Sequence, residues 1–324
     1  MSAWTLCSCL AGEIEKFIKL RRLSGTDYSS QARLLGYLDR FLVEHNIWRK
    51  RITREICDAY QKELTGLAPR TQGNRFCVVR QLCKHLALGD PLSYIPEAMR
   101  TPPSHQVHRA YIFTKKEVAA LLRASLQLSP DGSLRPQTYW TLFGLLYSTG
   151  LRIGEAMALN IEDFFPAEMR LYVAKGKFCK ARWIVLSEST RDALQQYLEQ
   201  RVKKRPNMPE SPLLLNERCQ RLSHPTVYAT YRKLLKTCGI AHHKDTGPRI
   251  HDMRHTFAVH RLLAWYQDGK DINARLPALA TYMGHVDINS TLTYLQPTAE
   301  LQGEVNRRFH DHYLNHIASE GEQS

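Results

Sequence analysis

Gly150-Leu151-Arg152-Ile153-Gly154-Glu155, in the middle of the chain, joins two predicted helices. An apolar run over about 137–149 precedes this segment, and Gly150 is placed to end that helix in the left-handed conformation that glycine adopts at little cost. Arg152 and Glu155 are three residues apart, so a helix that begins here carries both side chains on one face. In isolation, such a pair is more often a structural salt bridge than a functional site.

A second segment, His251-Asp252-Met253-Arg254-His255-Thr256, repeats this spacing. His251 and Arg254 project together from a predicted helix start, three residues apart. Two arginines and a histidine can hold the non-bridging oxygens of one phosphate, as a phosphoryl transition state requires. His251 and His255 also have the i,i+4 spacing of a zinc pair, but Arg254 on the same face would repel a cation and no third ligand is obvious.

A third segment, Tyr282-Met283-Gly284-His285, is followed nine residues later by Tyr294. A tyrosine phenol can attack phosphorus and form a phosphotyrosine ester, but its pKa near 10 means that neighbouring groups must activate it. Most of the 15 tyrosines are expected to serve in packing. Tyr294 stands out by its order and spacing after Arg152, Arg254 and His285.

The charge balance of the chain indicates a polyanionic partner. The 324 residues suggest about two domains, and 45 Lys and Arg against 31 Asp and Glu give a net charge of +14, shared between the two halves of the chain. Such a distribution fits two domains that both contact DNA or RNA, with an acidic membrane surface as the main rival. We expect neither a transmembrane helix nor a signal peptide, and therefore a cytoplasmic, nucleoid-associated protein.

Several other chemistries lack their sequence supports. The chain has no phosphate-binding P-loop, no dinucleotide-binding G-x-G-x-x-G and no G-x-S-x-G nucleophile elbow. Its 8 cysteines include no C-x-x-C pair, and acidic residues are not clustered as two-metal phosphodiester hydrolysis requires. We therefore expect no cofactor and no metal.

The first domain is predicted to be a small helical bundle over residues 1–103. Apolar residues recur there at spacings of three and four, and Pro96, Pro102 and Pro103 mark a linker. Arginines on the polar faces are candidate phosphate contacts, although each could equally lie on a solvated face. They are Arg21, Arg22, Arg33, Arg40, Arg75 and Arg80.

The second domain, 104–324, is predicted to be mainly α with a small antiparallel β-sheet. Thr114 and Glu117 form a capping box, and the β-prone stretches 169–174 and 181–186 form a hairpin. Residues 264–277 are assigned to a loop insertion. Further helices are expected near 188–204, 224–237, 251–267, 274–283, 288–295 and 298–314.

The ordered set of motifs resembles the phage integrase family of tyrosine recombinases, which includes Xer- and Cre-like enzymes. The resemblance covers the second domain. It implies catalytic roles for Arg152, Lys175, His251, Arg254, His285 and Tyr294, with Glu155 as the acidic companion of the first arginine. Lys177 is an alternative to Lys175 as the hairpin lysine.

The family mechanism implies that Tyr294 attacks the scissile phosphate, which leaves a 3′-phosphotyrosyl link and a free 5′-hydroxyl. The arginines and histidines would stabilise the phosphate charge, and Lys175 would protonate the leaving oxygen. The ester conserves the bond, so neither ATP nor metal is needed. The resemblance also implies a helical core-binding (SAM-like) domain at 1–103 that closes with the catalytic domain as a C-shaped clamp around duplex DNA. Lys177, Lys180 and Arg182 join the candidate DNA contacts.

Two features bear on biological role and assembly. The 31 residues from Arg254 to His285 exceed the separation expected for Xer-like members, which favours a recombinase or transposase of a mobile element over a housekeeping resolvase. Residues 298–313 carry an apolar stripe of Leu301, Val305 and Phe309. This segment could dock on its own domain, but the resemblance favours its passage to a neighbouring protomer in a DNA-bound tetramer. Other element-encoded recombinases are further candidate partners.

Two alternative functions remain open at the level of sequence. A type IB-like topoisomerase uses similar Arg, Lys, His and Tyr chemistry on one duplex without partner exchange, so synapsis distinguishes it. A catalytically silent DNA-binding regulator would keep its function without Tyr294.

Overall fold

The chain forms two compact units, within residues 1–107 and 108–324. The computed structural model describes residues 5–99, 110–174, 181–240 and 247–285. The predicted domain boundary after residue 103 lies in the segment 100–109, outside the described residues.

The described part of the first unit is a bundle of four α-helices, α1 (Ala11–Leu23), α2 (Ser29–Glu44), α3 (Arg54–Glu63) and α4 (Pro69–Gly89), with a 3-10 turn at Leu64–Gly66. The predicted apolar faces meet in its core, where Ile14, Leu35 and Leu82 are completely buried. Asp39 is also buried, and its carboxylate accepts hydrogen bonds from the backbone N–H groups of Cys7 and Ser8. These two hydrogen bonds join Cys7 and Ser8 to α2. The buried apolar faces confirm the helical bundle that the apolar spacing predicted.

The second unit begins with α5 (Lys115–Ser125), α6 (Arg135–Thr149) and the short α7 (Ile153–Ala158). The capping box at Thr114 and Glu117 forms as predicted, with each side chain bonded to the other residue's backbone N–H. Gly150 ends α6 at φ +64°, as predicted. An added Cβ atom there would collide with the ring of Phe257, so both the backbone conformation and the space require glycine.

A three-stranded antiparallel sheet follows, in the order β1 (Phe164–Phe165), β2 (Arg170–Val173) and β3 (Arg182–Val185). Leu171 pairs with Ile184, and both side chains are completely buried. The predicted hairpin strands are thus confirmed, whereas β1 was not predicted because two residues are too short to show alternation.

The remaining described helices are α8 (Glu188–Val202), α9 (His224–Thr237), α10 (Asp252–Gln267) and α11 (Ile272–Met283). The loop insertion expected at 264–277 is wrong. Its residues end α10, make a short turn through Gly269 at φ +72°, and begin α11, whose first amides are capped by Asp271. The helices predicted near 288–295 and 298–314 lie outside the described residues.

The core of the second unit lies between its helices and the inner face of the sheet. A smaller cluster, which includes Phe257, Leu262, Leu276 and Met283, packs α10 against α11. In the described part of the chain, no helix has the length and apolar character needed to cross a bilayer. The mainly α fold with a small antiparallel sheet is the one predicted.

Candidate active site

Arg152 lies at the turn between α6 and α7. Its backbone N–H donates to Oε2 of Glu155 at 2.9 Å, and its Nη1 donates to Oε1 of the same carboxylate at 2.8 Å. Its Nη2 reaches the carbonyl oxygen of Gly284 at 3.3 Å. The side chain is 22% exposed, so the guanidinium is held from one side and accessible from the other.

Glu155 is a buried carboxylate, only 6% exposed. Burial raises the pKa of this carboxyl, but hydrogen bonds from Arg182 and from Arg152 outweigh that effect and lower the pKa to about 2. Glu155 is therefore ionised at neutral pH. The predicted pair of Arg152 and Glu155 is present, with Arg182 as a third member that the sequence did not indicate.

Arg254 lies in the first turn of α10 and is 1% exposed. Its Nη1 donates to the carbonyl oxygen of Gly150 and its Nη2 to that of Met283, both at 2.6 Å. These carbonyls belong to the C-terminal ends of α6 and α11, where the helix dipole is negative. The guanidinium is thus fixed by backbone oxygens from two helices.

His285 follows α11, after Gly284 has reversed the backbone at φ +68°. Its Nε2 lies 2.8 Å from Nη2 of Arg254. Because a guanidinium can only donate, this nitrogen accepts, and the neutral ring carries its proton on Nδ1. Arg254 and His285, 31 positions apart, therefore form one cluster, and Arg152 joins it through the carbonyl of Gly284.

His251 precedes α10 and keeps an edge exposed to solvent. Desolvation, together with the positive charges of Arg254 and Arg152, lowers the pKa of His251 to about 4. The pKa of His285 is also about 4, for the same reasons, with Arg182 contributing. Both imidazoles are therefore neutral at neutral pH, the state that can accept a proton.

Tyr282 is the nearest described tyrosine in sequence to this cluster. Its hydroxyl donates to the carbonyl oxygen of Val185 in β3 at 3.0 Å, and burial raises the pKa of the phenol to about 12. Tyr282 is thus a structural link between α11 and the sheet. Lys175, Lys177, Lys180 and Tyr294 lie outside the described residues.

Arg182 was predicted to be a DNA contact at the surface, but its side chain lies largely buried beside Glu155. Its side chain is 10% exposed and donates to both oxygens of Glu155. The pattern of charges in the sequence could not separate it from exposed arginines. Its position on the second strand of the hairpin, 27 residues from Glu155, carries no periodic signal.

The six arginines of the first unit that were candidate phosphate contacts divide into two groups. Arg22, Arg33 and Arg40 are exposed. The other three are partly buried against the bundle: Arg21 bonds to Gln81, Arg75 lies over the ring of Tyr37, and Arg80 bonds to the carbonyl of Pro96.

The cluster of two arginines and two neutral histidines can hold a phosphate, because paired guanidiniums match its non-bridging oxygens. Residues 112–300 match the model of the phage integrase family. A Sinorhizobium fredii protein named as an integrase/recombinase, y4rB, is 32% identical over 300 residues, 91% of this chain and 95% of the relative. The tyrosine recombinase XerD of Listeria innocua is 28% identical over 247 residues, 76% of this chain and 77% of the relative.

Two solved structures share the fold. The Tn1549 transposon integrase in complex with circular intermediate DNA superposes with a TM-score of 0.64 at 18% identity, over 92% of this chain and 99% of that one. The XerH site-specific recombinase bound to difH substrate superposes with a TM-score of 0.61 at 19% identity, over 89% of this chain and 82% of that one.

The chain belongs to the phage integrase family. It is a tyrosine recombinase, an enzyme that breaks and rejoins DNA strands in site-specific recombination. DNA is its substrate, and the topoisomerase and silent-regulator alternatives are not favoured.

Proposed function

We propose that Tyr294 is the nucleophile of this recombinase, acting at the phosphate site of Arg152 and Arg254. Its phenolic oxygen attacks the scissile phosphorus, and the bond from phosphorus to the 5′-oxygen breaks. The phenol proton passes to a neutral imidazole, for which His251 is in the right protonation state. Lys175 donates a proton to the departing 5′-oxygen, with Lys177 as its alternative.

The rejoining step is the reverse of cleavage. A 5′-hydroxyl of the partner strand attacks the 3′-phosphotyrosyl ester, its proton returns to the lysine, and the tyrosine leaves. The ester stores the energy of the phosphodiester bond, so this sequence consumes no ATP and needs no metal. Arg152, Arg254 and His285 stabilise the charge that develops on the non-bridging oxygens in both directions.

The observation that carries this assignment is the contact between Arg254 and His285. The cluster is supplied by three sequence segments, the first and last of which are more than a hundred residues apart. The carbonyl oxygens of Gly150 and Gly284 contribute to it as well as the side chains. A packing role alone does not explain the partly exposed guanidinium of Arg152 beside two neutral imidazoles.

The first unit acts as the core-binding domain, 1–103, and the second as the catalytic domain, 104–324. Arg22, Arg33 and Arg40 are the stronger candidates for phosphate contacts in the first unit, because their side chains are exposed whereas those of Arg21, Arg75 and Arg80 are partly buried. The relative from Sinorhizobium fredii and the Tn1549 integrase support a role in integration or transposition by a mobile element. We place this activity on DNA in the cytoplasmic nucleoid as part of the proposal.

We also propose that the enzyme works as a DNA-bound tetramer in which residues 298–313 pass to a neighbouring protomer. The acceptor is an apolar groove of about 660 Å³ in the second unit. Its walls come from α6, β3, α10 and α11, and include Tyr147, Phe257, Trp265, Leu279 and Tyr282. The stripe of Leu301, Val305 and Phe309 has the apolar character that such a groove accepts.

A nicked suicide duplex carrying the element's own ends tests the nucleophile. The wild-type chain should accumulate a covalent protein–DNA adduct, and Tyr294→Phe should form none while binding the duplex with nearly unchanged affinity. Tyr282→Phe is the matched control and should retain the adduct, since its hydroxyl serves the sheet. Adducts from Tyr294→Phe would assign the nucleophile elsewhere.

A further inference from the structure

Arg182, the first residue of β3, uses three donor groups at once. Its Nη1 donates to Oε1 of Glu155 at 3.0 Å, its Nη2 to Oε2 at 2.8 Å, and its Nε to the carbonyl oxygen of Tyr282 at 3.0 Å. The two contacts to Glu155 form a bidentate pair, which fixes the orientation of both groups. Arg182 therefore joins three elements: the sheet, α7 and the end of α11.

Glu155 transmits this fixation to Arg152. The carboxylate that Arg182 grips also accepts Nη1 and the backbone N–H of Arg152. The position of the Arg152 guanidinium thus depends on a carboxylate whose own orientation is set from the opposite side. Without Arg182, Glu155 could rotate about its side-chain torsions and draw Arg152 with it.

Gly284 adds a second connection on the same side of the site. A Cβ atom on Gly284 would lie only 3.0 Å from Cζ of Arg182, so the backbone packs directly on the guanidinium. The carbonyl of Gly284 accepts Nη2 of Arg152, and the next residue is His285. Arg182 consequently supports the backbone that presents His285 as well as the carboxylate that aligns Arg152.

We propose that Arg182 is a positioning residue of the recombinase active site, which sets Arg152 and His285 for the scissile phosphate without itself contacting DNA. This inference rests on the proposed function and deepens it. An arginine is required because the ammonium of lysine cannot span two carboxylate oxygens and a carbonyl. A role as a DNA contact does not fit a guanidinium whose Nε, Nη1 and Nη2 are all engaged inside the protein.

The first test compares cleavage with DNA affinity. Arg182→Gln should slow single-turnover cleavage of the suicide duplex by about 10²-fold, the loss that a misplacement of roughly 1 Å causes. The salt dependence of binding to a random-sequence duplex should not change, whereas a lost phosphate contact would reduce its log–log slope by about 0.9. Arg182→Lys should remain slow. A flattened slope, or full rescue by lysine, would overturn the proposal.

Arg170→Gln is the matched control. Arg170 lies on the neighbouring strand, where its partners are Glu168 and the ring of Trp183, away from the cluster. Its replacement removes a positive charge from the same sheet and should leave the cleavage rate unchanged. An equal loss in Arg170→Gln and Arg182→Gln would show that sheet charge, and not the position of Arg152, is responsible.

A double-mutant cycle tests whether Arg182 acts through Glu155. Glu155→Gln should slow cleavage, and Arg182→Gln added to it should cost little more. In Arg182→Gln the buried Glu155 carboxylate loses one of its two arginine partners, and the double variant removes that carboxylate's charge, so the double variant should unfold at a higher temperature than Arg182→Gln alone. If the double variant lost cleavage rate by the product of the two single losses, Arg182 would not act through Glu155.

The acidic limb of the pH–rate profile gives a readout that a purely structural role would not move. The charged and titratable groups facing Glu155 are Arg152 on its own helix, Arg182 on β3 and His251 before α10. Arg182 lowers the pKa of Glu155 through a hydrogen bond and its charge, and that of His285 through its charge, so the limb should shift to higher pH in Arg182→Gln. The Arg170→Gln profile should match that of the wild type.

A measurement on the free protein separates this inference from the proposed function. The Nε–H resonance of Arg152, assigned by loss in Arg152→Lys, should shift in Arg182→Gln and stay in place in Arg170→Gln. An unmoved resonance would overturn the positioning role even in an active enzyme. If wild-type protein forms no DNA adduct, the proposed function fails, while this resonance still tests the link from Arg182 to Arg152.

Discussion

Nη1 of Arg254 donates to the carbonyl oxygen of Gly150 at 2.6 Å, across 104 positions of the chain. Gly150 thus has two roles: its left-handed backbone ends α6, and its carbonyl fixes an arginine on α10. The Phe257 ring, on that same helix, fills the space where a side chain at 150 would lie. Helix termination, packing and the phosphate site therefore meet at one residue.

Gly150→Ala is expected to destabilise the protein by about 2–3 kcal/mol, because the left-handed conformation alone costs an alanine about 1–2 kcal/mol and Phe257 must also move. Cleavage should fall too, as Arg254 loses its position. Chemical denaturation and the suicide duplex measure the two effects.

Gly239→Ala is the control for this substitution. Gly239 follows α9 at φ +69°, and an added Cβ atom there meets nothing within 4 Å. The backbone strain remains but the collision does not, so the loss should be about 1 kcal/mol with cleavage unchanged. Equal effects of the two alanines would contradict the role assigned to Phe257.

The two active-site histidines should make stability depend on pH. Their pKa values of about 4 lie below the usual 6.5, so the unfolded chain binds more protons between these limits. The free energy of unfolding should fall as pH is lowered from 6.5 towards 4, by less than about 1.4 kcal/mol per pH unit for each partly exposed ring. Denaturation at pH 7, 6 and 5 measures this.

His285→Gln should flatten that pH dependence, since one of the two protonation sites is gone. In the wild-type free protein, NMR should show no titration of His251 or His285 between pH 5.5 and 8. A midpoint near 6.5 for either ring would contradict the desolvation inferred from the cluster.

The arginines of the first unit should differ in their effect on DNA binding. Arg22→Gln and Arg33→Gln, at exposed positions, should each reduce the log–log salt slope for a random-sequence duplex by about 0.9. Arg80→Gln should leave the slope unchanged and lower stability, because Arg80 donates to the carbonyl of Pro96. If only Arg80→Gln changed the salt slope, Arg80 and not Arg22 or Arg33 would be the phosphate contact.

Truncation after Pro297 should spare binding of one protomer to a half-site and abolish cooperative assembly and recombination. Ala278→Glu, which places a charge on the groove wall, should have the same effect in the full chain. Ala274→Glu lies one turn earlier on α11, outside the groove, and should assemble normally. Gel-shift assays on paired sites distinguish these outcomes.

Local sequence signals predicted much of the fold. Apolar spacing indicated the bundle and α9, and the capping box and Gly150 marked helix ends, because each signal depends on neighbours within about four residues. The loop insertion predicted at 264–277 rested on the length between Arg254 and His285, and it was wrong because a length alone does not reveal helices. There Asp271 in fact caps a helix that contains Pro277, and its apolar residues pack on α10.

The order and spacing of the motifs pointed to Arg152, Glu155, Arg254 and His285, which the structure brings together, whereas Lys175 and Tyr294 lie outside the described residues. The groups that fix the described motif residues were not predictable from the sequence. Arg254 is held by the carbonyls of Gly150 and Met283, and a backbone carbonyl is present at every position whatever the side chain. Arg182 was assigned to the DNA surface because a sequence does not reveal which arginine faces a buried carboxylate.

The anchoring of Arg254 to main-chain oxygens also bears on how the enzyme can evolve. A side-chain partner can be lost in one mutation, whereas no substitution deletes a carbonyl group. The residues around Arg254 can therefore drift as the protein adapts to new DNA targets, provided that glycine remains at 150 and 284, where added side chains would strike Phe257 and Arg182. Gly150 and Gly284 are thus the positions that must not change if the surroundings of Arg254 are to vary without moving its guanidinium.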